Sequence, residues 1–154
     1  MNVLLTGGLG FIGSHTAVEL INAGHHVVIY DNLCNAEIGV LTRIEKITGV
    51  RPILLVEDIR HQAPLSMALK QYQIDVVIHF AALKAVGESV QKPLEYYENN
   101  IGGTLSLLRA MKEARVKNIV FSSSATVYGI PKNLPLTEDL SLIHISEPTR
   151  RRGI

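Results

Sequence analysis

Thr6-Gly7-Gly8-Leu9-Gly10-Phe11-Ile12-Gly13 lies between a short apolar run, Asn2-Val3-Leu4-Leu5, and a helix-like segment from Phe11 to Ala23. Gly7, Gly10 and Gly13 recur every third residue, and Gly8 completes a Gly-x-Gly-x-x-Gly pattern. The β-branched run His26-Val27-Val28-Ile29-Tyr30 follows, with Gly24 placed for a left-handed helix cap, so the region reads as strand, helix, strand. In such a turn one glycine makes the bend and a second lets a pyrophosphate approach the backbone. A third lets the helix pack on the strand, while the first helical amides face the anion. A glycine-rich turn alone is equally a bare strand-to-helix connection. Asp31 tips the balance: it ends the second run 18 residues past Gly13, near the spacing of a ribose-binding acid. A carboxylate there accepts from a free ribose 2′-hydroxyl and repels a 2′-phosphate, and Asn32-Leu33 supply no arginine to offset it. NAD is therefore favoured over NADP. The competing role for Asp31 is a cap on the next turn.

The same rhythm continues outward. A helix is expected around Ile38 to Ile47, a strand over Pro52 to Val56, a helix around Pro64 to Tyr72 and a strand over Asp75 to Ile78. One long helix from about Leu94 to Ala114 then precedes a fifth strand, Asn118-Ile119-Val120-Phe121, and Ser122-Ser123-Ser124. Short strands joined by crossover helices predict an α/β fold: a Rossmann-type doubly wound parallel sheet, right-handed in its connections. The sheet is expected to be incomplete, with about five strands and no C-terminal half or substrate domain. Residues 1–139 form the cofactor domain in this reading, and 140–154 are a tail of doubtful native origin, with neither a strand nor a capped helix. The open sheet edge predicts self-association or poor solubility.

Composition narrows the function classes. The chain has 154 residues, 47% hydrophobic and 19% charged, as expected of one globular domain. A net charge of +1 gives no general pull toward nucleic acid or an anionic membrane, and Arg150-Arg151-Arg152 reads as a solvated tail. Cys34 is the single cysteine, so no disulfide forms within the chain. No signal peptide, membrane-spanning run or metal-ligand cluster is expected, and a cytoplasmic setting follows.

Further candidates lie at strand ends, where open α/β sheets bind ligands. Asp58 and Ile59 follow the third strand; Asp58 is either an adenine acceptor or a helix cap. Phe80-Ala81-Ala82-Leu83-Lys84 follow the fourth, where small residues permit close cofactor approach. On these segments the chain resembles the extended short-chain dehydrogenase/reductase family. Within it, Thr6 to His15, Asp31-Asn32-Leu33-Cys34-Asn35, His79 to Lys92 and Ser122 to Gly129 resemble the UDP-glucose 4-epimerase branch, over Met1 to about Asp139.

The resemblance implies that Gly7, Gly10, Phe11, Ile12 and Gly13 serve the pyrophosphate, and that Asp31, Asn32, Leu33, Cys34, Asn35 and Ala36 surround the adenosine ribose. Asp58 and Ile59 would meet adenine. Phe80, Ala81, Ala82, Leu83, Lys84, Asn99 and Ser122 would line the nicotinamide half, with Ser124 bonding the sugar hydroxyl at the reacting carbon. It also implies hydride exchange between NAD and C4 of a UDP-hexose through a 4-keto sugar, a tyrosine base with a lysine one helical turn later, and a homodimer in the intact family. At the expected place this chain has Thr149 and Gly153. The spacing match at Tyr128 and Lys132 is interrupted by Gly129 and Pro131, which oppose a helix. The expectation is thus the N-terminal NAD-binding part of such an enzyme, inactive as written. The alternatives are another nucleotide-sugar member (dehydratase or decarboxylase) or a non-catalytic NAD-binding protein.

Overall fold

The computed structural model describes residues 1–124 together with Pro135 and Thr137. The chain divides into two compact units, Met1–Phe121 and Ser122–Ile154. The first unit carries β1 (Asn2–Thr6), α1 (Phe11–Asn22), β2 (His26–Asp31), α2 (Gly39–Thr48), β3 (Ile53–Val56), α3 (Gln62–Gln71) and β4 (Val76–His79). It continues with α4 (Val86–Gln91), α5 (Pro93–Tyr97), a π turn (Glu98–Gly102), α6 (Gly103–Ala114) and β5 (Asn118–Phe121). All four strand pairings are parallel, in the order β3-β2-β1-β4-β5. The chain winds outward from β1 through β2 to β3, then returns to place β4 on the other side of β1, creating a switch point between β1 and β4.

Alternation along the strands feeds two cores. Leu4, Val28, Tyr30 and Val77 pack with Leu65 and Leu69 of α3 and Leu107, Ala110 and Met111 of α6. Val3, Leu5, Val27 and Ile29 pack with Ala17 of α1 and Leu41 and Ile44 of α2. Helices therefore cover both faces, which is why the inner strands are apolar at successive positions rather than alternate ones. Gly24, at φ +80, ends α1: its amide meets the Ile21 carbonyl and that of His25 meets Leu20, both at 2.9 Å, pairing carbonyls the helix end leaves open.

One expectation needs correction. The helical stretch before β5 is not a single regular helix: five-residue α5 runs into the π turn before α6 begins, and α4 precedes them. Pro93 separates α4 from α5, because its ring disfavours helical backbone at Lys92, which takes φ −129 and ψ 55. No residue of α4 is buried, and with six residues its single i,i+4 apolar pair, Val86 and Val90, is too short a pattern to mark a helix. At the start of α6, a Cβ on Gly103 would come within 2.7 Å of Ile59 Cγ2, and this close approach seats α6 against the segment that follows β3.

Candidate functional site

Gly7 follows β1 at φ +66, and a Cβ there would stand 2.8 Å from the Ala81 amide nitrogen, so both conformation and space demand glycine. A Cβ on Gly13 would overlap the Gly7 carbonyl oxygen, which makes Gly13 the close-packing residue of the turn. Gly10 differs, since an added Cβ would meet only the Gly7 carbonyl oxygen, at 3.3 Å. Its surroundings are open on the side where a ligand would lie. Gly10 is also the N-cap of α1 and gives no side-chain cap, leaving the first helical amides without an internal acceptor. Phe11 and Ile12 are exposed beside them.

An open cleft of about 110 Å³ lies here. Gly7, Gly10, Asp31, Asn32, Cys34, Asn35 and Ala36 line one part of it, and Ile59, Phe80, Ala81, Ala82, Leu83 and Asn99 line the rest. The sequence candidates thus converge on the carboxyl ends of β1, β2 and β4, at the switch point. Six candidates of the first unit do not line it. Gly13 lies behind the turn, and Leu33, at φ +60, packs against the α1–α2 core. Phe11 borders an adjoining cleft with Leu9 and Arg43. Ile12, Asp58 and Lys84 are not on the wall. Half-buried Ser122 and exposed Ser124 belong to the second unit, while Tyr128, Lys132, Thr149 and Gly153 lie outside the described residues.

Asp31 does more than face the cleft. One carboxylate oxygen accepts from the Leu9 amide at 3.0 Å and the other from the Leu33 amide at 2.9 Å, so the side chain buttresses the glycine turn and caps its own. Each oxygen keeps acceptor capacity toward the cleft. Asp58 is more committed. Its oxygens receive the Arg60 amide, Nε and Nη2 and the Asn32 side-chain amide, which together fill the roughly four acceptor sites of a carboxylate. The Arg60 hydrogen bonds hold its carboxyl well below the usual range, against a smaller opposing effect of burial. An adenine amine would therefore have to displace one of these donors.

Sequence reasoning missed several residues. Tyr30 and Glu57 also line the cleft. Burial, with help from Glu57 and Asp58, pushes the Tyr30 phenol well above its ordinary value, which disqualifies it as a ready base. Behind the wall, buried His79 contacts Thr6 Oγ1 through Nδ1 at 2.6 Å and Thr104 Oγ1 through Nε2 at 3.1 Å. Asn100, in the π turn, accepts from the Leu83 amide at 2.8 Å and donates to the Leu83 carbonyl at 2.9 Å. The only hint of these roles was a polar residue ending each of two buried strands, Thr6 and His79. Among the described residues no cluster of histidine, cysteine or carboxylates could hold a metal, and no helix is long and apolar enough to cross a membrane.

Known proteins with this arrangement are numerous. Residues 4–146 match the family model described as GDP-mannose 4,6 dehydratase. The chain is 54% identical over 151 residues to a UDP-glucose 4-epimerase of Yersinia pestis, covering 98% of this chain and 45% of that protein. It is 55% identical over 138 residues to a UDP-glucose 4-epimerase sequence of Klebsiella pneumoniae, covering 90% of this chain and 99% of that sequence. A crystal structure of the Stenotrophomonas maltophila enzyme, with bound NAD and formylated UDP-arabinopyranose, superposes with a TM-score of 0.88 at 51% identity, over 92% of this chain and 42% of that one. The Bifidobacterium longum enzyme in complex with NAD+ and UDP gives 0.86 at 51% identity, again over 92% and 42%. The chain thus spans less than half the length of most of these relatives. Strand order, glycine turn, cleft and sequence agreement together show that the chain belongs to the UDP-glucose 4-epimerase family, within the wider group described by the GDP-mannose 4,6 dehydratase model.

Proposed function

We propose that this chain holds NAD across the ends of β1, β2 and β4 and constitutes the cofactor part of a UDP-glucose 4-epimerase. The observation that carries the reading is the convergence on one cleft of Gly10, open on its ligand side, and Asp31, a buried carboxylate with acceptor capacity to spare. The α1 amides would meet the pyrophosphate, Asp31 a ribose hydroxyl, and the wall from Phe80 to Leu83 with Asn99 the nicotinamide half. Bound NAD would supply reversible hydride acceptance at C4 of a UDP-hexose, interconverting UDP-glucose and UDP-galactose in the intact enzyme. Ser124 is assigned the hydrogen bond to the sugar hydroxyl. Thr149 and Gly153, at the places of the tyrosine base and its lysine, can neither take nor steer that hydroxyl's proton, so this chain is proposed to be inactive.

The cofactor domain is proposed to run to residue 139, in a cytoplasmic protein with no nucleic-acid or membrane partner; the homodimer is proposed for the intact family alone. Calorimetric titration of the whole chain with NAD and NADP tests the binding. Saturable NAD binding with weaker NADP binding is expected, and equal affinities would defeat the Asp31 assignment. Steady conversion of UDP-galactose by this chain would overturn the inactivity.

A further inference from the structure

Donor accounting orders a chain of side chains behind the cleft, of which Thr6 and His79 are buried. Thr104 Oγ1 lies 2.6 Å from the Asn100 main-chain oxygen, which can only accept, so its single hydrogen points there. Toward His79 Nε2, at 3.1 Å, Thr104 must then accept, and Nε2 carries the ring hydrogen. Burial, and then the Lys84 charge, disfavour a second ring proton, so Nδ1 is left as an acceptor for the Thr6 hydroxyl at 2.6 Å. Thr6 Oγ1 has its own lone pairs free to receive the Ala81 amide, a long contact at 3.5 Å. The chain therefore runs in one direction, from the Ala81 amide through Thr6, His79 and Thr104 to Asn100, whose side chain grips both main-chain polar atoms of Leu83. The ring of Phe121 packs on His79 at a centroid distance of 5.4 Å.

We propose that His79, as the neutral Nε2–H tautomer, is a positioning residue for the cofactor. It ties the end of β1, from which the glycine turn springs, to the π turn and the wall segment Ala81–Leu83, so that the two sides of the cleft keep one spacing. The proposal rests on the NAD reading for its ligand, while its hydrogen-bond direction stands on the protein alone. Both ends of the relay reach residues of the wall, Ala81 and Leu83, and Thr6 and His79 between them are buried. A buried directional network permits one arrangement of its donors and rigidifies what it joins.

The test uses the whole chain in four forms: unchanged, Thr104→Val, Thr104→Ser and His79→Phe. Thr104→Val keeps the shape and removes both hydrogen-bonding roles, whereas Thr104→Ser keeps the hydroxyl. Nitrogen-15 NMR at neutral pH, with His79→Phe identifying the signal among six histidines, is expected to show Nε2 protonated and Nδ1 bare. Thr104→Val and His79→Phe are expected to weaken NAD about tenfold, the loss of one buried polar interaction, while Thr104→Ser stays near the unchanged chain. Exchange of the Leu83 amide should quicken in Thr104→Val and not in Thr104→Ser. A protonated Nδ1, or Thr104→Val binding NAD and protecting Leu83 like the unchanged chain, overturns the proposal. If the unchanged chain binds no NAD, the NAD reading and the cofactor role of His79 fall together; the tautomer and Leu83 protection then decide the relay alone.

Discussion

At the scale of single residues, two side chains do work that their neighbours in sequence conceal. Asp31 faces the cleft while fastening Leu9 and Leu33, so its removal costs binding and local order together. Asp31→Ala is expected to weaken NAD by about tenfold to a hundredfold, the range of a charge-assisted hydrogen bond, and NADP less, because the repulsion of a 2′-phosphate disappears as well. Parallel titrations with the two cofactors check this, and an unchanged NAD affinity would remove Asp31 from the site. His79 gives a pH prediction. Burial, then the nearby Lys84 charge, lowers its pKa from the ordinary 6.5 to about 4. Between these values the unfolded chain binds a proton that the folded chain refuses. The neutral ring's contribution is complete above pH 6.5 and is lost as pH falls toward 4, by up to about 3 kcal/mol. Urea unfolding at pH 7 and pH 4.5 measures it, and His79→Phe should show a smaller difference between the two.

At the scale of elements, the glycine turn and the π turn act as a pair. Gly7 meets Ala81 so closely that Gly7→Ala would force β1 and β4 apart at their ends, besides straining a left-handed backbone. A destabilisation of about 1–3 kcal/mol is expected in denaturant unfolding, together with loss of NAD binding. Across the cleft, Asn100→Ala leaves both polar atoms of Leu83 unpaired and is expected to cost about 1–3 kcal/mol. An Asn100→Ala chain as stable as the unchanged one would show that the π turn is not what holds the wall. Both elements contribute residues to the cleft, Gly7 and Gly10 from the one and Asn99 from the other.

For the whole molecule, the described sheet ends on β5, where Val120 and Phe121 are exposed, and the helical side exposes Tyr97, Ile101, Leu105 and Leu108. Apolar surface on this scale, beside the edge strand of the described sheet, predicts association of the 16.9 kDa chain at micromolar concentration. Sedimentation velocity checks it, and a single monomeric species across a hundredfold dilution would contradict it.

The order of elements was legible residue by residue, because each cue is local. The apolar runs of β1, β2 and β4 announce buried parallel strands. The spacing of Gly7, Gly10 and Gly13 is a steric requirement of one turn, and Asp31 stands at a fixed reach from it. The break at Pro93 was legible in principle, yet α4 stayed hidden because six residues with one apolar pair, Val86 and Val90, are too few to establish a helical period. The wall behind the cleft could not be read in this way. Thr6 and His79 are 73 residues apart, and His79 and Thr104 are 25 apart. They meet because β4 returns beside β1 and α6 packs on the face that those two strands share. A strand's own periodicity says which side chains share a face but not which strand will lie next to it. Strand order, and with it the direction of every hydrogen bond from Ala81 to Leu83, is fixed only when long-range packing closes the sheet.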